Sequence, residues 1–426
     1  MSLTAFSVEK YRSFRRHTRI EVRPLTLVFG YNATGKSALL RMLPLLRDTL
    51  KSESAGINMG LEAGRGGSFP HLLSRLTSSP TLAVELEEGD VRARYELRYL
   101  SDQRRQALVA ASRTEAGVTR TLTWTTEGTK YELTEPGHKP RTISLDVKGL
   151  TLNEQGGGPT PLSWSPPGAQ DLADVQWLDA VRARVQRNER YDGPDDRHLK
   201  YDGSNAPLLL ARARLDDRES FGVTRRFYKE HLHQGLGVED HGDQFQVVVS
   251  PPRGAPDLRL NDLGGLNGDA PISPPSSFVV NLVDTGEGLG QVLPIVLALA
   301  RAATNEGPRL LVLEQPELHL HPARQEALTR WICELVGKNR GPKVVLETHA
   351  ENVLLSVLLA VLEGVMTPDD VIIYWVHQDE TGESFAERVT LDELARPQGL
   401  WPPEVFHEGS EIARKVNLLR FARMRR

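Results

Sequence analysis

The eight residues Gly30-Tyr31-Asn32-Ala33-Thr34-Gly35-Lys36-Ser37 constrain this chain more than any other feature. They satisfy the full phosphate-loop pattern: a glycine, four residues, then Gly-Lys-Ser. The setting is equally specific. Residues 25–29 (Leu-Thr-Leu-Val-Phe) are nearly all apolar, as a strand buried on both faces must be. Residues 37–50 then carry leucines at helical spacing, with Pro44 predicting a kink or a break. In such a loop, glycines let backbone N–H groups converge on phosphate oxygens, and the helix start adds its positive dipole end. Lys36 would bridge the β- and γ-phosphates of a nucleoside triphosphate, and the Ser37 hydroxyl would hold Mg²⁺. Gly30, Asn32, Ala33, Thr34, Gly35 and Ala38 complete the expected nucleotide-binding set. A plain glycine-rich turn bearing a surface lysine would not need the strand and helix that flank it.

A second acidic site follows far downstream. Residues 310–317 read Leu-Leu-Val-Leu-Glu-Gln-Pro-Glu, an apolar strand ending in carboxylates. A phosphate-loop protein places its Mg²⁺ carboxylate at such a strand end, so Glu314 is the candidate and Gln315 and Glu317 lie beside it. Almost two thirds of the chain separates Lys36 from Glu314, too much for a compact nucleotide-binding core, so the intervening residues are expected to be insertions. Strand 344–347 ends in Thr348-His349, which places His349 to donate to a γ-phosphate. Alone it would be an ordinary surface or capping histidine. Upstream, residues 284–291 (Asp-Thr-Gly-Glu-Gly-Leu-Gly-Gln) open an apolar helix, and Gly286, Gly288, Gly290 and Gln291 form a second anion-binding loop. One nucleotide site and two phosphate loops point to paired chains, each loop completing the other's site.

The rest of the chain organises around these motifs. An α/β fold is expected, with a first half-lobe over residues 1–80 and an antiparallel meander over 81–148, where short alternating runs are broken by Gly and Pro turns. A helical insertion over 169–249 is expected, with helices at 171–187 and 206–232, and a second half-lobe at 275–426. Gly/Pro-rich stretches at 149–168 and 250–276 read as linkers. From 278 onward strands and helices alternate, the signature of a parallel sheet. Lys+Arg 52 against Asp+Glu 56 leaves a net charge of −4, which argues against nucleic-acid binding by the whole surface. The single cysteine, Cys333, excludes a disulfide framework and is read as a buried apolar side chain. No leader or membrane span is expected, so the protein is read as cytoplasmic. His319 and His321 are read as structural, and His231, His233 and His241 as a solvated helix end rather than a metal site. The arginine-rich runs 182–190 and 212–226 and the basic tail 414–426 are either a nucleic-acid surface or solvated helix faces.

Taken together, the phosphate loop, the 286–291 loop, Glu-Gln-Pro-Glu-Leu-His-Leu-His-Pro at 314–322 and Glu-Thr-His at 347–349 resemble an ABC-type ATPase head of the SMC, RecF and overcoming-lysogenization-defect group. The likeness covers roughly residues 1–75 and 275–380. The run 399–406 is similar to the tail of stand-alone bacterial ATPases of this kind. The resemblance implies ATP-driven homodimerisation, contact of 286–291 with the partner's γ-phosphate, a magnesium role for Glu314 and a switch role for His349. Three departures matter. Gln315 stands where the catalytic glutamate is usual, and an amide cannot act as general base. Either Glu317 substitutes, or hydrolysis is slow and ATP mainly holds a closed dimer. Gly290 replaces a common serine. Long coiled coils and an acidic nuclease cluster are absent. The reading adopted is an ATPase gating a separately encoded effector, with bacterial anti-phage defence as setting. The alternative is a DNA repair or recombination ATPase that binds DNA through the arginine-rich insertion, and a third is an ATP-binding sensor without turnover.

Overall fold

The computed structural model describes residues 2–156, 161–193, 196–250, 279–338, 341–401 and 411–424. Two compact units divide the chain: Met1–Trp177 with Pro308–Pro316 and Thr329–Arg426, and Leu178–Gly307 with Glu317–Leu328. The first unit opens with β1 (Ala5–Glu9), β2 (Thr18–Glu21), β3 (Leu25–Gly30), α1 (Lys36–Leu40) and α2 (Met42–Leu50). It continues with β4 (Thr81–Glu88), β5 (Val91–Leu100), β6 (Arg105–Glu115), β7 (Val118–Trp124), β8 (Lys130–Thr134) and β9 (Arg141–Lys148). Then come β10 (Thr151–Glu154), β11 (Ser163–Trp164), α3 (Ala169–Ala173) and β12 (Val175–Leu178). The second unit holds β13 (Glu189–Arg190), α4 (Ala206–Leu215), α5 (Glu219–His231), β14 (Gly235–His241), β15 (Gln244–Ser250), β16 (Val280–Asn281) and α6 (Glu287–Ala303). After β17 (Leu310–Glu314) and α7 (Pro322–Val336) the first unit is completed by β18 (Lys343–Thr348), α8 (Glu351–Leu362), β19 (Val371–Gln378), β20 (Ser384–Leu391), β21 (Pro397–Gln398) and α9 (Glu411–Met424).

Two sheets build the first unit. One runs β12-β17-β18-β3-β19-β20-β21, with β17, β18, β3 and β19 parallel. Every residue of β3 and of β17 is buried, as near-continuous apolar runs covered on both faces require. The order sets β18 between the phosphate-loop strand and the carboxylate strand. Their carboxyl ends therefore open onto one edge of the sheet. The other sheet is antiparallel, β11-β10-β9-β8-β7-β6-β5-β4-β1-β2, and its middle strands alternate buried and exposed side chains.

Several expectations change. Residues 149–168 are not simply a linker: β10 pairs with β9 and β11, and Leu152 and Trp164 are buried cross-strand partners. Alternating apolar residues outweighed the Gly/Pro content there. The helix expected at 171–187 is the five-residue α3 followed by β12, whose four residues are all buried. The helix expected at 206–232 is two, α4 and α5, with Asp217 at φ 52 between them. Strands β13, β14 and β15 share the 169–249 segment with these helices. Residues 251–278, with the glycine-rich linker expected at 250–276, and 402–406 of the tail resemblance lie outside the described residues. Cys333 is fully buried, and burial pushes its thiol up to about 12.

Candidate active site

The phosphate loop leaves β3 in a shape that only certain residues allow. Gly30 has φ 156, and a Cβ there would stand 2.2 Å from the Val376 carbonyl oxygen of neighbouring β19. Ala33 and Gly35 take φ 64 and 97, curling the loop. The Thr34 hydroxyl donates to the Tyr31 carbonyl at 2.9 Å. Ser384 Oγ donates to the Thr34 carbonyl at 2.8 Å, tying the loop to β20. Lys36 is buried and its ammonium reaches back to the Tyr31 carbonyl at 2.5 Å. Asn32 and Ala33 are exposed at the loop's crest.

The helix after the loop is short for a reason. It stops at Leu40 and a new one starts at Met42. Pro44 then falls in the first turn of α2, where its missing N–H breaks no helical bond. The break turns Arg41 toward β17. Its guanidinium grips Glu314 with both arms, Nε to Oε1 at 2.8 Å and Nη2 to Oε2 at 2.6 Å. The Trp177 indole N–H donates to the same carboxylate at 2.9 Å. Trp177 is itself flanked by the guanidinium carbons of Arg41 and Arg65, at 5.9 and 5.8 Å from its ring.

The neighbouring strand ends in a second buried carboxylate. Glu347 pairs in register with Glu314 across β17 and β18, and cross-strand partners point to the same face. Glu347 Oε1 accepts from the Ser37 hydroxyl at 2.8 Å, while Oε2 has no hydrogen-bond partner. Burial raises both carboxylates above the ordinary range. At Glu314 this is partly offset by the hydrogen bonds and charge of Arg41; at Glu347 the hydrogen bonds come from neutral donors, and Lys36 and Arg41 offset burial by their charge alone. Gln315 follows in a left-handed conformation, φ 43, with its N–H bonded to the Glu347 carbonyl at 2.9 Å. His349 is exposed, and partial burial together with Lys36 lowers its pKa. Its imidazole is therefore neutral near pH 7, able to donate without adding charge.

The first unit thus unites Gly30, Thr34, Gly35, Lys36, Ser37, Glu314, Gln315 and His349. The second unit holds Gly286, Gly288, Gly290, Gln291 and Glu317. In that unit Gly286 and Glu287 are exposed at the start of α6. Gly288 is required by space, since a Cβ would stand 2.8 Å from the His319 carbonyl oxygen. At Gly290 the nearest atom would be Val185 Cγ2 at 3.5 Å, so the serine common elsewhere would fit. Gln291 is buried and donates to the Arg182 carbonyl at 3.3 Å. Arg182 is buried, its pKa lowered to about 10 by desolvation, with Glu317 the charge opposing that shift. Glu317, the candidate substitute base, is buried beside this cation.

Sequence reasoning missed three of these groups. Arg41 and Trp177 carry no motif; only the helix break and an isolated tryptophan before the arginine-rich run hinted at them. Glu347 lies within Glu-Thr-His, a motif that assigns it no role of its own. The arginine runs also change character. Arg184 pairs with Glu287 at 2.6 Å, Arg187 with Asp284 at 2.5 Å and Arg214 with Asp240 at 2.8 Å. Arg212 donates to the Gly193 carbonyl at 2.6 Å. These charges are engaged inside their own unit. No cluster of three or more His, Cys, Asp or Glu side chains able to hold a metal occurs among the described residues, and His321 Nδ1 accepts from Ala323 N at 3.4 Å at the start of α7. No helix among them is long and apolar enough to cross a membrane.

Residues 182–356, less than half the chain, match the family model described as "AAA domain, putative AbiEii toxin, Type IV TA system". That span contains the 286–291 loop, Glu314, Glu347 and His349, and the phosphate loop precedes it. Over that span the chain is similar to an AAA-type ATPase domain. Among solved structures, the chain is similar to the SMC head domain of Thermotoga maritima, with 11% identity over 91% of this chain and 98% of the other and a TM-score of 0.38. It also resembles the Smc head domain with an extended coiled coil, bound to the C-terminal domain of ScpA, from Pyrococcus furiosus, with 10% identity over 91% and 96% and a TM-score of 0.43. No curated protein is significantly similar to this chain.

Proposed function

We propose that the protein is an ATP-gated switch: an ATPase that binds Mg²⁺·ATP at the phosphate loop, pairs with a second copy on ATP, and controls a separately encoded effector in anti-phage defence. The observation that carries the nucleotide reading is the Ser37 hydroxyl bonded at 2.8 Å to a buried carboxylate whose second oxygen has no partner. A buried orphan of this kind at a sheet's carboxyl edge is costly unless a ligand arrives to use it. The donor set, a hydroxyl and carboxylate oxygens, suits a hard cation such as Mg²⁺. When bound, Mg²⁺ would neutralise charge on the β- and γ-phosphates. The loop's backbone and Lys36 would then hold the phosphates, with the lysine leaving the Tyr31 carbonyl for them. Ser37 and the carboxylates would hold the metal, and neutral His349 would donate toward the γ-phosphate. Gln315 can orient a water but cannot take its proton, so turnover is slow and the bound state long-lived. The exposed Gly286–Glu287 start of α6 suits a contact with the partner's nucleotide. The family description supports the defence setting.

The test is phosphate release and mass in solution, with and without Mg²⁺·ATP. A parent protein that neither binds ATP nor changes mass, or a Lys36→Ala variant that behaves like the parent, would overturn the reading.

A further inference from the structure

We propose that Glu347, and not Glu314 alone, is a metal-side carboxylate of the site: Ser37 Oγ and Glu347 Oε2 together hold the cation that accompanies the nucleotide, while Glu314 is held in place by Arg41 and Trp177. This rests on the nucleotide reading above and deepens it. The two carboxylates stand side by side in register, yet their surroundings differ in kind. Glu314 has both oxygens occupied, Oε1 by Arg41 Nε and the Trp177 indole, Oε2 by Arg41 Nη2. A bidentate guanidinium leaves little lone-pair capacity for a cation, and its positive charge opposes one. Glu347 has one oxygen on the very hydroxyl that a phosphate-loop serine gives to the metal, and the other unpartnered though the residue is 2% exposed. The Gln315 amide lies close enough to favour the charged carboxylate but makes no hydrogen bond to Oε2. Topology explains the assignment. β18 lies between β17 and β3 and pairs directly with β3, so its end is nearer in the sheet to the phosphate loop than the end of β17 is. Ser37 and Glu347, 310 residues apart in sequence, meet by this route.

The deciding measurement is metal affinity rather than turnover. The full chain is loaded with a fluorescent ATP analogue in EDTA, and Mn²⁺ is then titrated while its free ion is followed by electron paramagnetic resonance. Glu347→Gln should bind the metal-free analogue within about twofold of the parent yet lose about tenfold or more in Mn²⁺ affinity. Glu347→Asp, which keeps the charge but shortens the reach, should lie between. Glu314→Gln should lose less than Glu347→Gln. Parent-like Mn²⁺ affinity in a folded Glu347→Gln, judged by circular dichroism, overturns the proposal. Where Glu347→Gln does not fold, a folded Glu347→Asp with parent-like Mn²⁺ affinity overturns it instead. Absence of analogue binding by the parent itself, or its persistence in Lys36→Ala, is a different failure. It removes the nucleotide reading and this proposal with it.

Discussion

The two sheets of the first unit handle charge in opposite ways. At the β7–β10 end of the ten-stranded antiparallel sheet, acidic and basic side chains meet near the surface as separate pairs, such as Arg141 with Glu154 and Arg120 with Glu135. In the parallel sheet, β3 and β17 bury every residue, and charge gathers at the carboxyl edge as Glu314 and Glu347. A sheet covered on both faces has nowhere else to put a polar group except where its strands end. Exposed pairs are screened and worth little, whereas the edge carboxylates are desolvated and consequential. The difference teaches where to look for chemistry: at the one place where an otherwise apolar layer tolerates ionised groups at a cost.

Experiments can break or sharpen this contrast. The largest effect is expected at the phosphate loop, where Lys36→Ala should lower ATP-dependent phosphate release by about 100-fold or more, since it removes a charge aimed at the developing anion. Next, Arg41→Met should destabilise the fold by about 3–5 kcal/mol in denaturant melts, because it leaves Glu314 buried without its cation. If the loss is under about 1 kcal/mol, the edge is no different from the open sheet. A smaller and opposite effect is expected from Glu347→Gln, which should melt above the parent in the absence of nucleotide and metal. Its sign follows from linkage. A carboxylate whose folded pKa is raised binds protons more tightly in the folded state, so it costs stability above that pKa. The parent should therefore close the gap as pH falls from 8 toward the ordinary carboxylate range near about 4.5, and again when Mg²⁺·ATP is added at pH 8. A gap independent of pH would break the argument. The smallest effect is expected at the open sheet, where Arg141→Met should change stability by less than about 1 kcal/mol.

Much of the parallel lobe was legible because its signals are local. Apolar runs of five or six residues, a complete phosphate loop and a carboxylate-ended strand each say what they are without knowledge of neighbours. The strand expected at 344–347 is β18, with each edge within about one residue, for that reason. What was hidden depends on partners. Trp177 reads as part of a helix until one sees its four-residue strand buried and its indole on Glu314. Arg182 to Arg187 resemble a polar helix face, yet the pairs that use them come from Asp284 and Glu287, about a hundred residues on. Glu347 is the sharpest case. Its importance lies in meeting Ser37 in space, and nothing in the local pattern marks that meeting.

The strand order has one more consequence, for how the chain is made. β3 finds its two neighbours only in β18 and β19, more than 300 residues later in the chain. At ordinary translation speeds of about 5–20 residues per second, β3 waits roughly 15–60 seconds after emerging from the ribosome with neither edge paired. An apolar six-residue strand with two open edges is a template for association between nascent chains. Survival through that interval needs something to occupy β3 temporarily. Yield in cells should therefore respond to slowed synthesis or to chaperone supply more strongly than the stability of the finished protein would suggest.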